Sequence, residues 1–218
     1  MKSRKGGFFL IILGCCCVLA AAALYGYNSR VSAQAAEEAS DLSTLLDEAM
    51  AQGTGEDPDG QDPALSQTAE ATALKADTAE ASAAEAGVPK SIPIKNYDVI
   101  GALSIPAIDI RLPVISQWSY PNLRAAPCLY SGSPDGQMIV LAHNYARHFG
   151  HIKDLAAGDT VEFKAVDGTV YSYQVIATEI VDGDKGLGDI TSGSDWDLTL
   201  FTCTYGGASR VVVRCVKT

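Results

Sequence analysis

The chain has 218 residues and a formal net charge of −10, and that charge is unevenly distributed. Residues 1–30 carry +4, residues 31–88 carry −12, and residues 89–218 carry the remaining −2. Because nucleic-acid binding needs a basic face, this distribution argues against nucleic acid as a partner. The length allows one ordinary domain plus additional segments.

The N-terminus has the pattern of a membrane anchor. The segment Phe8–Tyr27 has twenty residues and no charge, which at ~1.5 Å rise per residue is enough to cross a hydrocarbon core of ~30 Å. Basic residues precede it, so residues 1–30 are predicted to form a cytoplasmic flank and a single membrane span, with the remainder exported. A cleaved signal peptide is the alternative, with a small-residue site at Ala33–Ala35, but the apolar segment is longer than a typical signal core.

Residues 31–88 are acidic and rich in Ala, Ser, Thr and Gly. Turn-forming residues are concentrated in Gly53–Pro63, and Leu42–Met50 has the pattern of a short amphipathic helix. Since such a composition buries little apolar surface, we predict a mostly disordered stalk that adds nothing to a folded core. The folded domain is then expected over residues 89–218.

That last part of the chain consists of short apolar runs separated by turn residues, which predicts an all-β domain. Asp167-Gly168 is a hairpin signal, and helical turns are predicted at 121–126 and 151–155. So many strands in about 130 residues indicate a closed antiparallel barrel or a sandwich. The predicted strands are Ile100–Ile105, Ile108–Val114, Gln137–Ala142, Thr160–Ala165, Val170–Val181, Asp197–Thr202 and Arg210–Val216.

The first candidate for chemistry is Cys203, which an apolar strand delivers to the start of a polar, Gly-rich turn. Catalytic side chains often occupy such strand ends, although a buried, inert cysteine is the commoner case. Arg210 opens the next strand, and a guanidinium across a hairpin would favour the thiolate and stabilise an oxyanion. Arg214 is a lesser candidate with the same strand parity.

The second candidate is His143, which follows the apolar strand that ends near Leu141. A single histidine is more often structural than catalytic. The nearby His148 and His151 allow a metal site as an alternative, but Asp154 is the only acid close in sequence, so we predict no metal and no cofactor.

The six cysteines divide into two sets of three. One set lies in the apolar N-terminal segment. The other set is Cys128, Cys203 and Cys215, and an odd number leaves at least one exported thiol without a partner in its own chain. The sequence leaves undecided whether Cys128 and Cys215 form a disulfide.

Three segments taken together resemble the sortase family. The sequence Thr-Leu-Phe-Thr-Cys at 199–203, followed by Arg210, resembles the sortase signature. Residues 139–163 resemble the sortase histidine region, and residues 100–115 resemble its first strands. The resemblance covers roughly Ile100 to the C-terminus; one departure is alanine at position 142, where many members have glycine.

The resemblance implies a closed eight-stranded β-barrel with short helices, and a cysteine transpeptidase of the Gram-positive cell surface. Cys203 would attack the threonine carbonyl of an exported protein's C-terminal sorting signal, often Leu-Pro-x-Thr-Gly, and form a thioacyl enzyme. His143 would carry the proton of the leaving and incoming amines. Arg210 would hold the substrate and the oxyanion.

An amine of a cell-wall precursor or of a pilin would accept the acyl group. Thr202, Ala142 and Asn144, which flank the two candidate residues, are expected to contact the substrate. The loop at 182–195 is too short for the long helix of type B sortases, and its acids are expected to be solvated rather than to bind calcium. The subclass stays open.

Two other functions stay open at this point. A hydrolytic cysteine peptidase would share the Cys–His chemistry and use water as the acceptor. A membrane-tethered β-barrel that only binds a partner would have an inert Cys203 and structural cysteines elsewhere.

Overall fold

The computed structural model describes residues 4–52, 89–183, 188–191, 193 and 195–218. Within them, a long helix, α1 (Arg4–Gln52), precedes a domain with short helices α2 (Tyr120–Ala125) and α3 (Gly188–Thr191). The described strands are β1 (Ile92–Ile94), β2 (Tyr97–Ile105), β3 (Ile110–Ile115), β4 (Cys128–Gly132), β5 (Met138–Leu141), β6 (Thr160–Ala165), β7 (Val170–Asp182), β8 (Leu198–Cys203) and β9 (Ser209–Lys217).

Eight of these strands close into a barrel in the order β2-β3-β4-β5-β8-β9-β7-β6, because β6 returns to pair with β2. β1 lies outside the barrel and pairs with the start of β2. The predicted closed eight-stranded β-barrel is therefore confirmed. The sheet is mixed rather than purely antiparallel, since β3–β4 and β5–β8 are parallel pairs.

The burial pattern explains how the strands position a surface site. In β6 the residues alternate, with Val161 and Phe163 buried and their neighbours turned outward, as expected for a sheet with one wet face. β8 instead is buried from Leu198 to Thr202 and exposed only at Cys203. Its outer face is covered by a second apolar cluster, which contains Ile190 of α3.

The predicted strands correspond to β2, β3 and β5–β9, and the Asp167-Gly168 hairpin joins β6 to β7. The predicted strand Ile108–Val114 begins later, because residues 106–108 form a 3₁₀ turn and Asp109 takes a left-handed φ of 51°. β1 and β4 were missed. β1 has only three residues, one of them proline, and β4 ends at Gly132. Proline and glycine are typical of turns, so neither segment has the sequence pattern of a strand.

The N-terminal part of α1 is apolar and exposed. The stretch Phe9–Gln52 includes an 18-residue window of mean hydropathy 2.4, none of it buried. By length and composition this helix is apolar enough to cross a membrane. The helix continues without interruption through Ala33–Ala35.

The C-terminal part of α1 packs against the barrel. Ala35, Ala39, Leu42 and Leu46 recur at helical spacing and are buried. Leu42 and Leu46 join an apolar cluster with residues of β1, β2, β3 and α2.

Polar contacts hold the same face of α1. The Arg111 guanidinium of β3 forms a two-pronged ion pair with Asp47, with nitrogen–oxygen distances of 2.6 and 2.9 Å. The Tyr97 hydroxyl donates to Glu38 over 2.7 Å. The expectation that residues 31–52 add nothing to a core is therefore wrong, because four apolar residues at helical spacing suffice for one buried face. Residues 53–88 lie outside the described residues, so the rest of the predicted stalk stays a prediction.

Candidate active site

The candidate histidine reaches the site along the parallel pair of β5 and β8. In this pair Leu141 lies opposite Phe201, and the Ala142 amide donates to the Phe201 carbonyl over 3.3 Å. The Thr202 hydroxyl donates to the Ala142 carbonyl over 2.8 Å. Continuing the Leu141–Phe201 register by two residues sets His143 beside Cys203.

A second contact holds the chain after His143 next to the chain after Cys203. The Asn144 side-chain amide donates to the Thr204 carbonyl over 3.4 Å. His143 therefore follows a residue tied to Thr202 and precedes one tied to Thr204, which confines its backbone to the level of Cys203.

The candidate arginine reaches the site along the antiparallel pair of β8 and β9, in which Cys203 and Arg210 are direct partners. The connecting turn has two glycines in left-handed conformations, with φ of 87° at Gly206 and 77° at Gly207, which a residue with a Cβ adopts only with strain. Cys203 is exposed and Arg210 is half-buried. Nη1 of Arg210 donates to the carbonyls of Gly207 and Ser209 at 2.9 and 3.1 Å.

The electrostatic surroundings of His143 favour the neutral ring. Burial lowers the pKa of His143 below its ordinary value, and the positive charge of Arg124 on α2 lowers it further. A neutral imidazole at neutral pH can accept a proton from a thiol, while an exposed Cys203 is open to a substrate. The three residues can therefore support nucleophilic attack, proton transfer and oxyanion binding.

The family model of the sortase domain matches residues 103–218, which is more than half of the chain. The chain belongs to the sortase family.

Solved structures agree with this assignment. Sortase C1 from Streptococcus agalactiae is 30% identical, with a TM-score of 0.51 over 58% of this chain and 70% of that one. Sortase A from Corynebacterium diphtheriae is 25% identical, with a TM-score of 0.51 over 56% of this chain and 61% of that one. The sortase described here thus spans less than two thirds of the latter's length. No curated protein matches it.

Two of the residues expected to contact the substrate lie beneath the surface of this sortase. Ala142 and Thr202 are 6% and 3% exposed, and their hydrogen bond ties β5 to β8. Asn144 is half-buried at the rim. Direct substrate contact by any of the three stays a prediction.

The lesser candidate, Arg214, lies at the opposite end of the β8–β9 pair, across from Thr199. It is 3% exposed and stacks over the Trp196 ring at 4.1 Å. Its nitrogens donate to Glu179 at 3.1 Å, to Thr199 at 3.1 Å and to the Ile190 carbonyl at 2.6 Å. Arg214 of β9 therefore has a structural role, because its side chain links α3, β7 and β8 to β9.

The other two histidines do not form a metal site. His148 is fully buried, whereas His151 is exposed and pairs with Asp154 at 3.3 Å. Within residues 4–52, 89–183 and the described part of 188–218, no group of three or more His, Cys, Asp or Glu side chains is arranged to hold a metal ion.

The two remaining cysteines of the barrel, Cys128 and Cys215, are free and buried. Burial raises the pKa of each to about 12, which keeps both as unreactive thiols at neutral pH. Cys128 and Cys215 therefore do not form the disulfide that the sequence left undecided.

Sequence analysis missed two residues beside His143. Tyr145 stacks on its ring with a centroid separation of 4.7 Å and an interplanar angle of 29°. Arg124 acts on it from α2. The position of Tyr145, two residues after His143, was a usable sequence signal for this contact. The second depends on how α2 folds back against β5, which no local pattern reveals.

Proposed function

We propose that this chain is a cysteine transpeptidase that cleaves a C-terminal sorting signal and transfers the acyl group to an amine. One observation carries the proposal: the exposed Cys203 at the end of β8 lies opposite Arg210 on β9, and the residue before it, Thr202, is bonded to Ala142, the residue before His143. Membership of the sortase family agrees with this chemistry.

In the acylation step, Cys203 Sγ attacks the carbonyl carbon of the scissile peptide bond. The neutral His143 ring accepts the thiol proton as the carbon–sulfur bond forms, and Arg210 stabilises the negative charge on the carbonyl oxygen. The carbon–nitrogen bond then breaks, and the imidazolium returns the proton to the departing amine. The products are a thioester on Cys203 and a released C-terminal peptide.

In the deacylation step, an amine attacks the thioester and loses a proton to His143. The carbon–sulfur bond breaks, Cys203 regains its proton, and a new amide remains on the substrate protein. We propose an amino group of a cell-wall precursor or of a pilin as this acceptor. Asn144 is proposed to contact the substrate backbone at the rim, above the buried tie of Ala142 to Thr202.

We further propose that the apolar part of α1 is a single-pass anchor that holds the barrel on the outer face of the cell membrane. The high hydropathy of the 18-residue window in α1 supports a membrane span. The basic residues before the span favour a cytoplasmic N-terminus, which places the barrel outside the membrane.

The experiment is turnover of fluorescence-quenched sorting-signal peptides by the full chain in detergent, with and without an amine acceptor. We expect Cys203→Ala to abolish cleavage, and the matched variant Cys215→Ala to retain it, because Cys203 is exposed and Cys215 is buried. Product mass spectrometry should show the amine attached to the new C-terminus.

Other outcomes separate the alternatives. Cleavage that yields only a free carboxylate at every acceptor concentration would indicate a hydrolytic peptidase. Equal activity of the two cysteine variants would end the proposal that Cys203 is the nucleophile, and absence of cleavage across a broad peptide panel would favour a binding module.

A further inference from the structure

The loop after β5 contains three aromatic rings in contact, one after another. The His143 ring lies 4.7 Å from the Tyr145 ring, at an angle of 29° that makes the two nearly parallel. The Tyr145 ring in turn lies 5.5 Å from the His148 ring, at 47°. Tyr145 therefore separates the candidate acid–base residue from a fully buried histidine.

The backbone of this loop is held by three hydrogen bonds of its own. The Phe149 amide donates to the His143 carbonyl at 3.1 Å, and the amides of His148 and Gly150 donate to the Tyr145 carbonyl at 2.9 and 3.0 Å. A Cβ at Gly150 would lie 2.7 Å from the Tyr145 carbonyl oxygen, so only glycine permits this close approach. The stack is thus built on a fixed turn, not on a loose loop.

His148 forms the inner end of the stack as a buried aromatic ring. It is 0% exposed, and neither of its ring nitrogens has a hydrogen-bond partner among the described residues. Burial lowers its pKa to about 4, while the backbone of Ala35 on α1 opposes that shift. The ring is therefore neutral at neutral pH and packs as an apolar aromatic beside α1.

The same helix face continues onto the barrel core. Ala39, one turn after Ala35, belongs to the apolar cluster that also contains Phe149. The C-terminal part of α1 consequently packs into the same apolar core as the loop that carries the stack.

We propose that Tyr145 is a positioning residue for His143, and that His148, enclosed beneath α1, holds Tyr145 in place. The inference rests on the proposed function, in which His143 moves the proton. An imidazole at the end of a strand has two free torsions, and a ring stacked on its face restricts both. Displacement of a catalytic group by ~1 Å costs up to about 10²-fold in rate.

The test compares Tyr145→Ala, Tyr145→Leu and Tyr145→Phe in the full chain in detergent, with Arg147→Ala as the control from the exposed side of the same loop. We expect kcat to fall about tenfold in the Ala and Leu variants with KM little changed, because orientation and not binding is lost. Tyr145→Phe should retain wild-type kcat, since the ring face and not the hydroxyl makes the contact. Arg147→Ala should match wild type.

His148 is tested in the same assay. His148→Phe should retain activity, because a phenyl ring keeps the aromatic face that contacts Tyr145. His148→Ala should lower kcat in the same direction as Tyr145→Ala. Melting temperatures identify any variant that is unfolded. If Tyr145→Ala does not fold, Tyr145→Leu takes its place in the comparison, because leucine keeps most of the apolar volume without an aromatic ring.

A second measurement does not depend on turnover. The ring current of Tyr145 should move the His143 ring-proton NMR signals upfield in the wild type and in Tyr145→Phe, but not in Tyr145→Leu. Unchanged signals and wild-type kcat in the folded Leu variant would overturn the inference, as would an effect confined to KM. An inactive wild type with a normal ring-current shift would instead count against the proposed function alone.

Discussion

The two ends of the β8–β9 pair carry the same residue types in different surroundings. At one end Cys203 lies opposite Arg210, and at the other Cys215 follows Arg214, which lies opposite Thr199. The first cysteine is exposed and the second is fully buried. The first arginine bonds carbonyls of its own turn, whereas the second is enclosed among side chains of other elements.

This difference shows that residue type and strand parity do not define a site in this fold. The end of β8 at Cys203 is left uncovered, because α3 and the neighbouring aromatic residues cover the strand only as far as Phe201. A thiol or guanidinium at the uncovered end can meet a substrate. The same groups at the covered end can only stabilise the barrel.

The largest expected difference is in thiol reactivity. In a variant with alanine at positions 15, 16 and 17, a maleimide at pH 8 should label Cys203 at least ~10³-fold faster than Cys128 or Cys215, because burial raises the pKa of both buried thiols to about 12. Peptide mapping of the labelled chain gives the three rates. Labelling of all three cysteines at similar rates before unfolding would contradict the assignment of the covered end.

The arginine pair should divide activity from stability. Arg210→Ala is expected to lower kcat/KM by about 10²–10³, as for loss of an oxyanion donor, and Arg210→Lys should fail similarly because lysine lacks the planar fork. Arg214→Ala should leave kcat/KM within a few-fold while lowering the free energy of unfolding by about 3 kcal/mol, since it leaves the buried acceptors of Thr199 and Ile190 unpaired and breaks the ion pair with the half-exposed Glu179. Urea denaturation and peptide turnover measure the two effects.

A reversed result would refute this division. If Arg214→Ala abolished turnover in a folded protein while Arg210→Ala did not, the guanidinium that serves the substrate would be at the other end of the strand pair.

The threonines at the two ends should give the smallest effects. Thr202→Val removes one neutral hydrogen bond to the Ala142 carbonyl and should cost about 1 kcal/mol of unfolding free energy. Thr199→Val removes an acceptor from the buried Arg214 guanidinium and should cost more, about 2 kcal/mol. Urea denaturation of both variants provides the comparison, and a larger loss in Thr202→Val would mean that the tie of β5 to β8 is the more important of the two.

Local patterns predicted most of the barrel. Strands such as β6 and β7 were predicted from short apolar runs separated by turn residues, among them Asp167-Gly168. β1 and β4 were not found, since proline and glycine interrupt them. The polar residues at the ends of β5 and β8 were recognised, and Arg214 was ranked below Arg210 as their partner.

The α1 helix shows the limit of reasoning from composition. Its apolar N-terminal half was evident from the sequence, because twenty consecutive residues carry no charge. Its second half was taken for part of a stalk, although Leu42 and Leu46 are fully buried. Alanine-rich, acidic sequence is compatible with both disorder and a helix with one narrow apolar face, and only the presence of a matching groove on the barrel decides between them.

The strand-forming segments, the apolar N-terminal segment and the two polar strand ends at His143 and Cys203 can be predicted from the sequence, because they depend on periodicity, length and hydropathy within short windows. The choice of Arg210 over Arg214 was also made from the sequence, and the β8–β9 register agrees with it. The folded barrel was needed to show that Arg214 is buried, that Cys128 and Cys215 are not paired, and that α1 packs into the core beside the loop of the Tyr145–His148 stack. Those outcomes depend on which surfaces the closed barrel buries, and burial is set by contacts between segments far apart in the chain.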